Sequence, residues 1–211
     1  MVLLSAAVLI LGIAVGTMIG LLRARHTSPA LQLTAPTPPM SSWSAGKRLA
    51  PDFRLVDQSG APISLHALRG RMSIVTFIDP LCRNLCPLEA RVLSNAVRTL
   101  PPATRPAIVS VSVNPWGDTR ANFRADAKHW GLGAAWRWAI GPRPQLAAVW
   151  KNYEIAVQVV TKRVAGVAVR EIGHSEVAYI VDRAGYERAL FIYPFTAADV
   201  EHEIRKLDTS S

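Results

Sequence analysis

The pattern of apolar and polar residues divides the chain into an apolar N-terminal run, a proline-rich stretch and a longer region with strand and helix periodicities. Residues 2–22 form a run of 21 residues without a charge. At about 1.5 Å per residue, a helix of this length spans the roughly 30 Å hydrocarbon core of a bilayer. A cleaved signal peptide is the alternative, but such peptides have a basic start and an apolar run of about 7–15 residues. We therefore predict an uncleaved transmembrane anchor over residues 2–22.

The anchor carries two further signals. Gly12, Gly16 and Gly20 share one helix face, which is typical of a helix-dimerising seam and predicts a homodimer, although glycine is also common in membrane helices generally. Arg23 and Arg25 follow the run, and no basic residue precedes it. Because basic flanks favour the cytoplasmic side, this distribution favours a cytoplasmic domain.

The rest of the chain reads as a linker followed by one α/β domain. Residues 27–51 contain five prolines among Ser, Thr and Ala, so we predict an extended linker over 23–50 and a folded domain over 51–208. Two apolar strands with a crossover helix, then an antiparallel pair and a closing helix, describe a thioredoxin-like fold with a central mixed sheet flanked by helices. The predicted strands are 53–56 and 62–65, which form an N-terminal hairpin, 72–78, 107–113, 157–160, 177–181 and 188–192, and the predicted helices are 86–100, 118–130, 142–153 and 197–207.

The charge and the cysteine count exclude several classes of protein. The 211 residues include 24 Lys and Arg against 15 Asp and Glu, for a formal charge of +9, but the basic residues from residue 52 onward form no run. A nucleic-acid module concentrates its charge on one element, so we predict no nucleic-acid partner. Two cysteines exclude a disulfide-dense scaffold and a four-cysteine zinc site.

Those two cysteines carry the candidate chemistry. Cys82 and Cys86 stand between the predicted strand 72–78 and the start of the next helix. A helix N-terminus lowers a thiol pKa, and positions four apart on a helix face the same way. Two thiolates suit Cu(I), and a third ligand extends the site to Cu(I) or Cu(II). An inert disulfide or a pair of free buried thiols is the structural alternative.

A third ligand is expected to be a histidine. His174 follows Gly173 and opens the predicted strand 177–181, where its side chain can project from the end of the sheet. A polar residue at a strand edge is the alternative interpretation of His174. The remaining histidines lie at the membrane edge, in a turn or in charged helices: His26, His66, His129 and His202.

Four segments resemble the Sco/SenC family of membrane-anchored, thioredoxin-like copper proteins. They are LAPDFRLVDQSGAPISLHALRG, the cysteine segment LCRNLCP, VSVNPWGDTRANFRADAKHWG and the histidine segment GHSEVAYIVDRAG. The resemblance covers residues 50–207. Asp79, Pro80 and Arg83 stand where the family usually has an aromatic residue, Thr or Ser, and Pro, and Asn114 stands where Asp is usual. We expect Arg83 to stabilise the thiolates and Asp79 to oppose that.

The resemblance implies Cys82, Cys86 and His174 as copper ligands. It also implies delivery of copper to the copper centre of cytochrome c oxidase, or reduction of the cysteines of that centre, with the oxidase copper-centre subunit or another copper-accepting protein as partner. The implied location is the inner membrane, with the domain in the periplasm or an equivalent oxidising space.

Three other functions remain open at this point. The cysteine pair can cycle between dithiol and disulfide as a membrane-tethered thiol–disulfide oxidoreductase, with His174 only tuning a pKa. A peroxiredoxin is a further alternative, since Pro80 and Cys82 resemble a peroxidatic loop that here lacks its usual Thr or Ser. A binding module with a structural disulfide would bind no metal.

Overall fold

The structure is a computed structural model, and it describes residues 35–209. The predicted anchor, its glycine seam and the first part of the predicted linker lie outside the described residues. Within residues 35–209, no helix combines the length and the apolar character needed to cross a bilayer.

The described residues form ten strands and four α-helices. The elements in chain order are β1 Ser41–Ser42, β2 Arg54–Asp57, β3 Pro62–Ser64, β4 Ser73–Ile78, α1 Leu85–Thr99, β5 Ala107–Ser112, α2 Arg120–Trp130, β6 Trp136–Ile140, α3 Arg143–Asn152, β7 Val157–Val164, β8 Val167–His174, β9 Val177–Val181, β10 Glu187–Ile192 and α4 Ala197–Thr209.

Eight strands form one mixed sheet in the order β1-β10-β9-β4-β5-β6-β2-β3. Strands β4, β5 and β6 are parallel, whereas β9, β10 and β1 on one side and β2 and β3 on the other are added antiparallel. This arrangement confirms the predicted thioredoxin-like α/β fold and its N-terminal hairpin, which is β2–β3.

Helices cover both faces of the sheet. Every residue of β4, β5 and β9 is buried, as expected for strands covered on two sides. One core cluster joins alternate residues of β4, such as Ile74 and Ile78, to α1, α2 and α4. The other joins Val75 and Phe77 to Leu146 and its neighbours in α3.

Three strands lie where the sequence predicts none. Strand β6 pairs with β5 and β2, and its Trp-Arg-Trp start buries the two tryptophans while Arg137 is exposed. Strand β1, within the predicted linker, pairs with β10. The predicted strand 157–160 continues to Val164, turns through Ala165 and Gly166 at φ of 48° and 81°, and returns as β8. These strands form through tertiary pairing, which the periodicity of the sequence does not report.

Two features of this fold form the candidate site. The carboxyl end of β4 leads through a loop that carries Cys82 into the first turn of α1, which carries Cys86, so the two cysteines do not share a helix face as the spacing predicts. The separate two-stranded sheet β7–β8 ends at His174, which pairs in register with Val157. Both ends meet beside the first turn of α1.

Candidate metal centre

The loop between β4 and α1 holds the first cysteine in place. Oδ1 of Asp79 accepts hydrogen bonds from the N–H of Leu81 (2.7 Å) and from Nδ2 of Asn114 (2.8 Å). The carbonyl oxygen of Asp79 accepts from the N–H of Cys82 at 3.0 Å. Asn114 follows β5, so these bonds fasten the loop to the neighbouring strand and fix the position of Cys82.

Helix α1 begins directly after this loop and carries the second cysteine. Asn84 is the N-cap, and its Oδ1 accepts from the N–H of Leu85 at 2.8 Å and from the Cys82 thiol at 2.8 Å. Cys86 lies in the first turn and is fully buried, whereas Cys82 is partly exposed. The cysteines therefore stand at a strand-to-helix junction, as the pattern of the sequence predicts.

The β7–β8 hairpin brings His174 against Cys86. Nε2 of His174 lies 3.4 Å from Sγ of Cys86, and Nδ1 lies 3.1 Å from the carbonyl oxygen of Ser175. Because a carbonyl oxygen accepts only from an N–H, Nδ1 is the donor to Ser175, and Nε2 is the ring nitrogen directed at Cys86. His174 ends β8 rather than opening the next strand, so it reaches the site from the hairpin.

Glu176 also reaches this point, and the sequence analysis does not identify it. Its Oε1 lies 3.3 Å from Nε2 of His174 and 3.6 Å from Sγ of Cys86. These three atoms form a group compact enough to hold a metal ion, and Sγ of the predicted ligand Cys82 lies outside that group. Residues two apart in extended chain face the same side, so the His-Ser-Glu spacing is the signal that identifies Glu176.

Glu89 of α1 lies behind Glu176 and is completely buried. Burial raises the pKa of Glu89 well above its usual range, and hydrogen bonding to Glu176 adds to the rise. The hydroxyl of Thr76 lies 2.6 Å from Oε1 of Glu89 and 2.9 Å from the carbonyl oxygen of Val177. The hydroxyl proton therefore goes to one of these two oxygens, and the carboxyl proton of a neutral Glu89 is free to bond to Glu176.

The two thiols have opposite acid strengths. A hydrogen bond with the Cys86 thiol, helped by the N–H groups of Asn84 and Cys86, outweighs the effect of burial and lowers the pKa of Cys82 to about 6. The same contact with Cys82 raises the pKa of Cys86, and burial adds to the rise. The pKa of Cys82 is therefore well below that of Cys86, and Cys82 is the thiol that ionises first.

Arg83 is expected to stabilise the thiolates directly, but its contacts are with backbone carbonyl oxygens of the loop and with Asp126. Its Nη1 donates to the carbonyl oxygens of Pro80 (3.2 Å) and Cys82 (2.8 Å) and lies 3.7 Å from Asp126. Arg83 therefore braces the loop backbone, and the helix amides and the second thiol supply the main stabilisation of the Cys82 thiolate.

An open cleft of about 500 Å³ leads from solvent to these side chains, between the cysteine loop and the end of β8. Trp116 stands 44% exposed near it, with the guanidinium of Arg170 over its ring at 4.8 Å. Of the other histidines in the described part of the chain, all are exposed and outside the compact donor group: His66, His129 and His202.

A protein-family model described as SCO1/SenC matches residues 42–208. This chain belongs to the SCO1/SenC family. The matched segment includes Cys82, Cys86 and His174, and the resemblance identified from the sequence motifs is confirmed. No curated protein sequence matches the chain.

Solved structures of Sco proteins have the same fold. Copper-bound ScoI of Bradyrhizobium japonicum aligns with a TM-score of 0.65 at 19% identity, over 75% of this chain and 98% of that one. Copper-bound yeast Sco1 aligns with a TM-score of 0.68 at 19% identity, over 78% and 90%. BsSco, described as a cytochrome c oxidase assembly protein with a disulfide switch, aligns at 0.61 and 18% identity, over 83% and 100%.

Proposed function

We propose that this chain is a copper chaperone that binds the metal through Cys82, Cys86 and His174. It delivers copper to the copper centre of cytochrome c oxidase, or maintains the thiols of that centre. The observation that carries the proposal is the approach of His174 Nε2 to within 3.4 Å of the Cys86 sulfur, which also contacts Cys82. Family membership and the copper-bound relatives support it.

The donor set suits copper as cargo. Thiolates are soft donors that favour Cu(I), and a neutral imidazole completes a three-donor shell. Cys82 is the more exposed ligand and opens on the cleft, so a thiolate of the acceptor protein can replace it first. Because the ligands must lose their protons, copper affinity falls as the pH drops.

Titration of the reduced full-length chain with Cu(I), against a competing chelator, tests this proposal. We expect one tight equivalent, which Cys82→Ser and Cys86→Ser abolish and His174→Ala weakens about 10- to 100-fold. His129→Ala is the matched control, because His129 is an exposed histidine outside the donor group. Copper binding that survives loss of both cysteines would overturn the proposal.

A thiol–disulfide oxidoreductase is the second candidate, and the opposite thiol acidities favour it. The Cys82 thiolate would attack a partner disulfide, and Cys86 would then release the partner by forming the Cys82–Cys86 disulfide. The partner gains two electrons and two protons, and the chain loses them. This activity predicts reduction of insulin disulfides that survives His174→Ala, whereas the copper function requires His174.

We also propose that the predicted anchor tethers the domain outside the cytoplasm, in the periplasm or an equivalent space. The family resemblance supports this location, whereas Arg23 and Arg25 favour the opposite orientation. Alkaline phosphatase fused after Leu49 is active only where disulfides form, so an active fusion is expected. An inactive but intact fusion would place the domain in the cytoplasm.

A further inference from the structure

The contacts of Glu176 distinguish this centre from a site of two cysteines and one histidine. The separations among its Oε1, Nε2 of His174 and Sγ of Cys86 are 3.3, 3.4 and 3.6 Å. Metal–ligand bonds of about 2.3 Å to sulfur and about 2.0–2.2 Å to nitrogen or oxygen, at tetrahedral angles, place donor atoms roughly 3.4–3.6 Å apart. The three atoms thus already have the spacing of one face of a tetrahedral metal site.

The three atoms face one another across a single point. Nε2 of His174 and Oε1 of Glu176 both approach Sγ of Cys86, and they also approach each other. Nδ1 of His174 faces a carbonyl oxygen instead, so Nε2 is the ring nitrogen directed at this point. A cation bound there would contact all three atoms at once.

The position of Glu176 is held from behind. Its side chain is 14% exposed and lies against the buried Glu89 of α1, and Oε2 of each residue is buried with no other partner among the described residues, so a proton on Glu89 can bond to Glu176. Metal-binding carboxylates are commonly oriented by such an outer hydrogen bond. The carboxylate therefore keeps its direction towards His174 and Cys86.

We propose that Glu176 is a fourth metal donor, beside Cys82, Cys86 and His174, and that it raises the preference of the centre for a divalent over a monovalent ion. This inference rests on the proposed copper function and adds which oxidation state of the metal the centre favours. A carboxylate oxygen is a hard donor, which suits a divalent ion better than Cu(I). It also adds a third negative charge beside two thiolates, which attracts a doubly charged ion more strongly.

The test compares a redox-inert divalent probe with Cu(I). The full-length chain is purified in detergent with its thiols reduced. Co²⁺ affinity is read from the ligand-field absorption of the bound ion, and Cu(I) affinity from competition with a chelator. Glu176→Gln removes the charge at constant shape. Glu171→Gln is the matched control, because Glu171 lies on β8 near the same cleft but pairs with Lys162 on the exposed hairpin.

We expect Glu176→Gln to lower Co²⁺ affinity at least tenfold and to change the absorption spectrum, while Cu(I) affinity stays within about threefold. A tenfold loss confined to Cu(II) would raise the potential of bound copper by about 59 mV. Glu176→Asp, which keeps the charge, is expected to give a smaller loss of Co²⁺ affinity and provides a second variant if the glutamine protein does not fold.

Equal losses for both metals would make Glu176 a positioning residue for His174 and would overturn the proposal, as would no loss for either metal. Failure of the copper function would be seen in the metal binding of the wild-type chain rather than of the variants. Wild-type chain that binds Co²⁺ but not Cu(I) would refute the copper function, and the Co²⁺ affinities would still decide whether Glu176 is a ligand. Wild-type chain that binds neither metal would refute both.

Discussion

The cysteine side of the centre is formed by β4, α1 and the loop between them, and its strand and helix are embedded in the core. The hairpin side, formed by β7 and β8, is largely exposed. All six residues of β4 are buried, and α1 buries seven of its side chains. Most residues of β7 and β8 are exposed to solvent, and Val164 and Val167 at the turn are 58% and 64% exposed. Only the base of the hairpin packs on the core, through Val157 and Ile172.

This difference separates two ways of placing a metal donor. Cys86 is placed by the same packing that stabilises the domain, so its position is as stable as the fold. His174 is placed by the register of a hairpin whose outer part adds little to the core. A change in the core is therefore expected to affect both sides, whereas a change at the hairpin base is expected to affect His174 alone.

The largest effect is expected from Leu93→Ala on the cysteine side. Leu93 is fully buried in α1, and removing its side chain leaves a cavity that costs about 2–5 kcal/mol of unfolding free energy. Leu88→Ala is the matched control, since Leu88 lies on the same helix at 45% exposure and its loss is expected to cost less than about 0.5 kcal/mol. Urea unfolding of a chain starting at Pro36 measures both. Equal costs would contradict the described packing of α1.

The next effect is a pH dependence from Asp118, which belongs to the network behind the cysteine loop. Its Oδ1 accepts from the hydroxyl of Ser112 at 2.6 Å, and burial raises its pKa from 3.8 to about 7. The folded state thus holds this proton more tightly than the unfolded chain. The stability it supplies is full below pH about 4 and is lost as the pH rises through about 7.

Asp118→Asn removes this titration and keeps an acceptor for Ser112. The loss of this stability has already begun at pH 5, which lies above the unfolded pKa of 3.8. Between pH 5 and pH 8.5 we expect the stability of the variant relative to the wild type to rise by about 2–3 kcal/mol. Urea unfolding at the two pH values measures the difference, and an unchanged difference between them would show that Asp118 titrates normally.

The next prediction concerns the acidity of the two thiols on the cysteine side. Cys82 is expected to react with iodoacetamide with a midpoint near pH 6, because the Cys86 thiol stabilises its thiolate. In Cys86→Ala this hydrogen bond is lost, and the midpoint should rise by about two units towards the ordinary thiol pKa of about 8.5. Mass spectrometry of alkylated protein across pH gives both midpoints. The same midpoint in both proteins would mean that the helix N-terminus alone lowers the Cys82 pKa.

The smallest effect is expected at the base of the hairpin. Ile172→Ala removes a half-buried contact with the core and is expected to cost about 1–2 kcal/mol. Because Ile172 lies two residues before His174, Cu(I) affinity should fall severalfold while the alkylation midpoint of Cys82 stays unchanged. Val164→Ala at the turn is the matched control and should change neither. A shifted Cys82 midpoint in Ile172→Ala would show that the two sides are coupled.

Local sequence signals predicted the elements whose residues show their own periodicity. The strands around Ile74 and Val109, the helix that ends at Gly131 and the closing helix all lie within two or three residues of their predicted bounds. The elements without a predicted counterpart are β1, β6 and β8. The β8 strand is exposed along most of its length, so it lacks the alternation that marks a half-buried strand. Its pairing with β7, rather than its composition, makes it a strand.

The candidate site likewise has a part that the local sequence predicts and a part that depends on the tertiary structure. The sequence by itself determined that Cys82 and Cys86 stand at the start of a helix after a buried strand, because the strand, the helix and the spacing are all local in the chain. Only the tertiary structure decided that His174, 88 residues after Cys86, meets its sulfur, and that Glu176 joins them. Such contacts depend on which strands pair and in which register, and a one-residue shift would turn these donors to the opposite face.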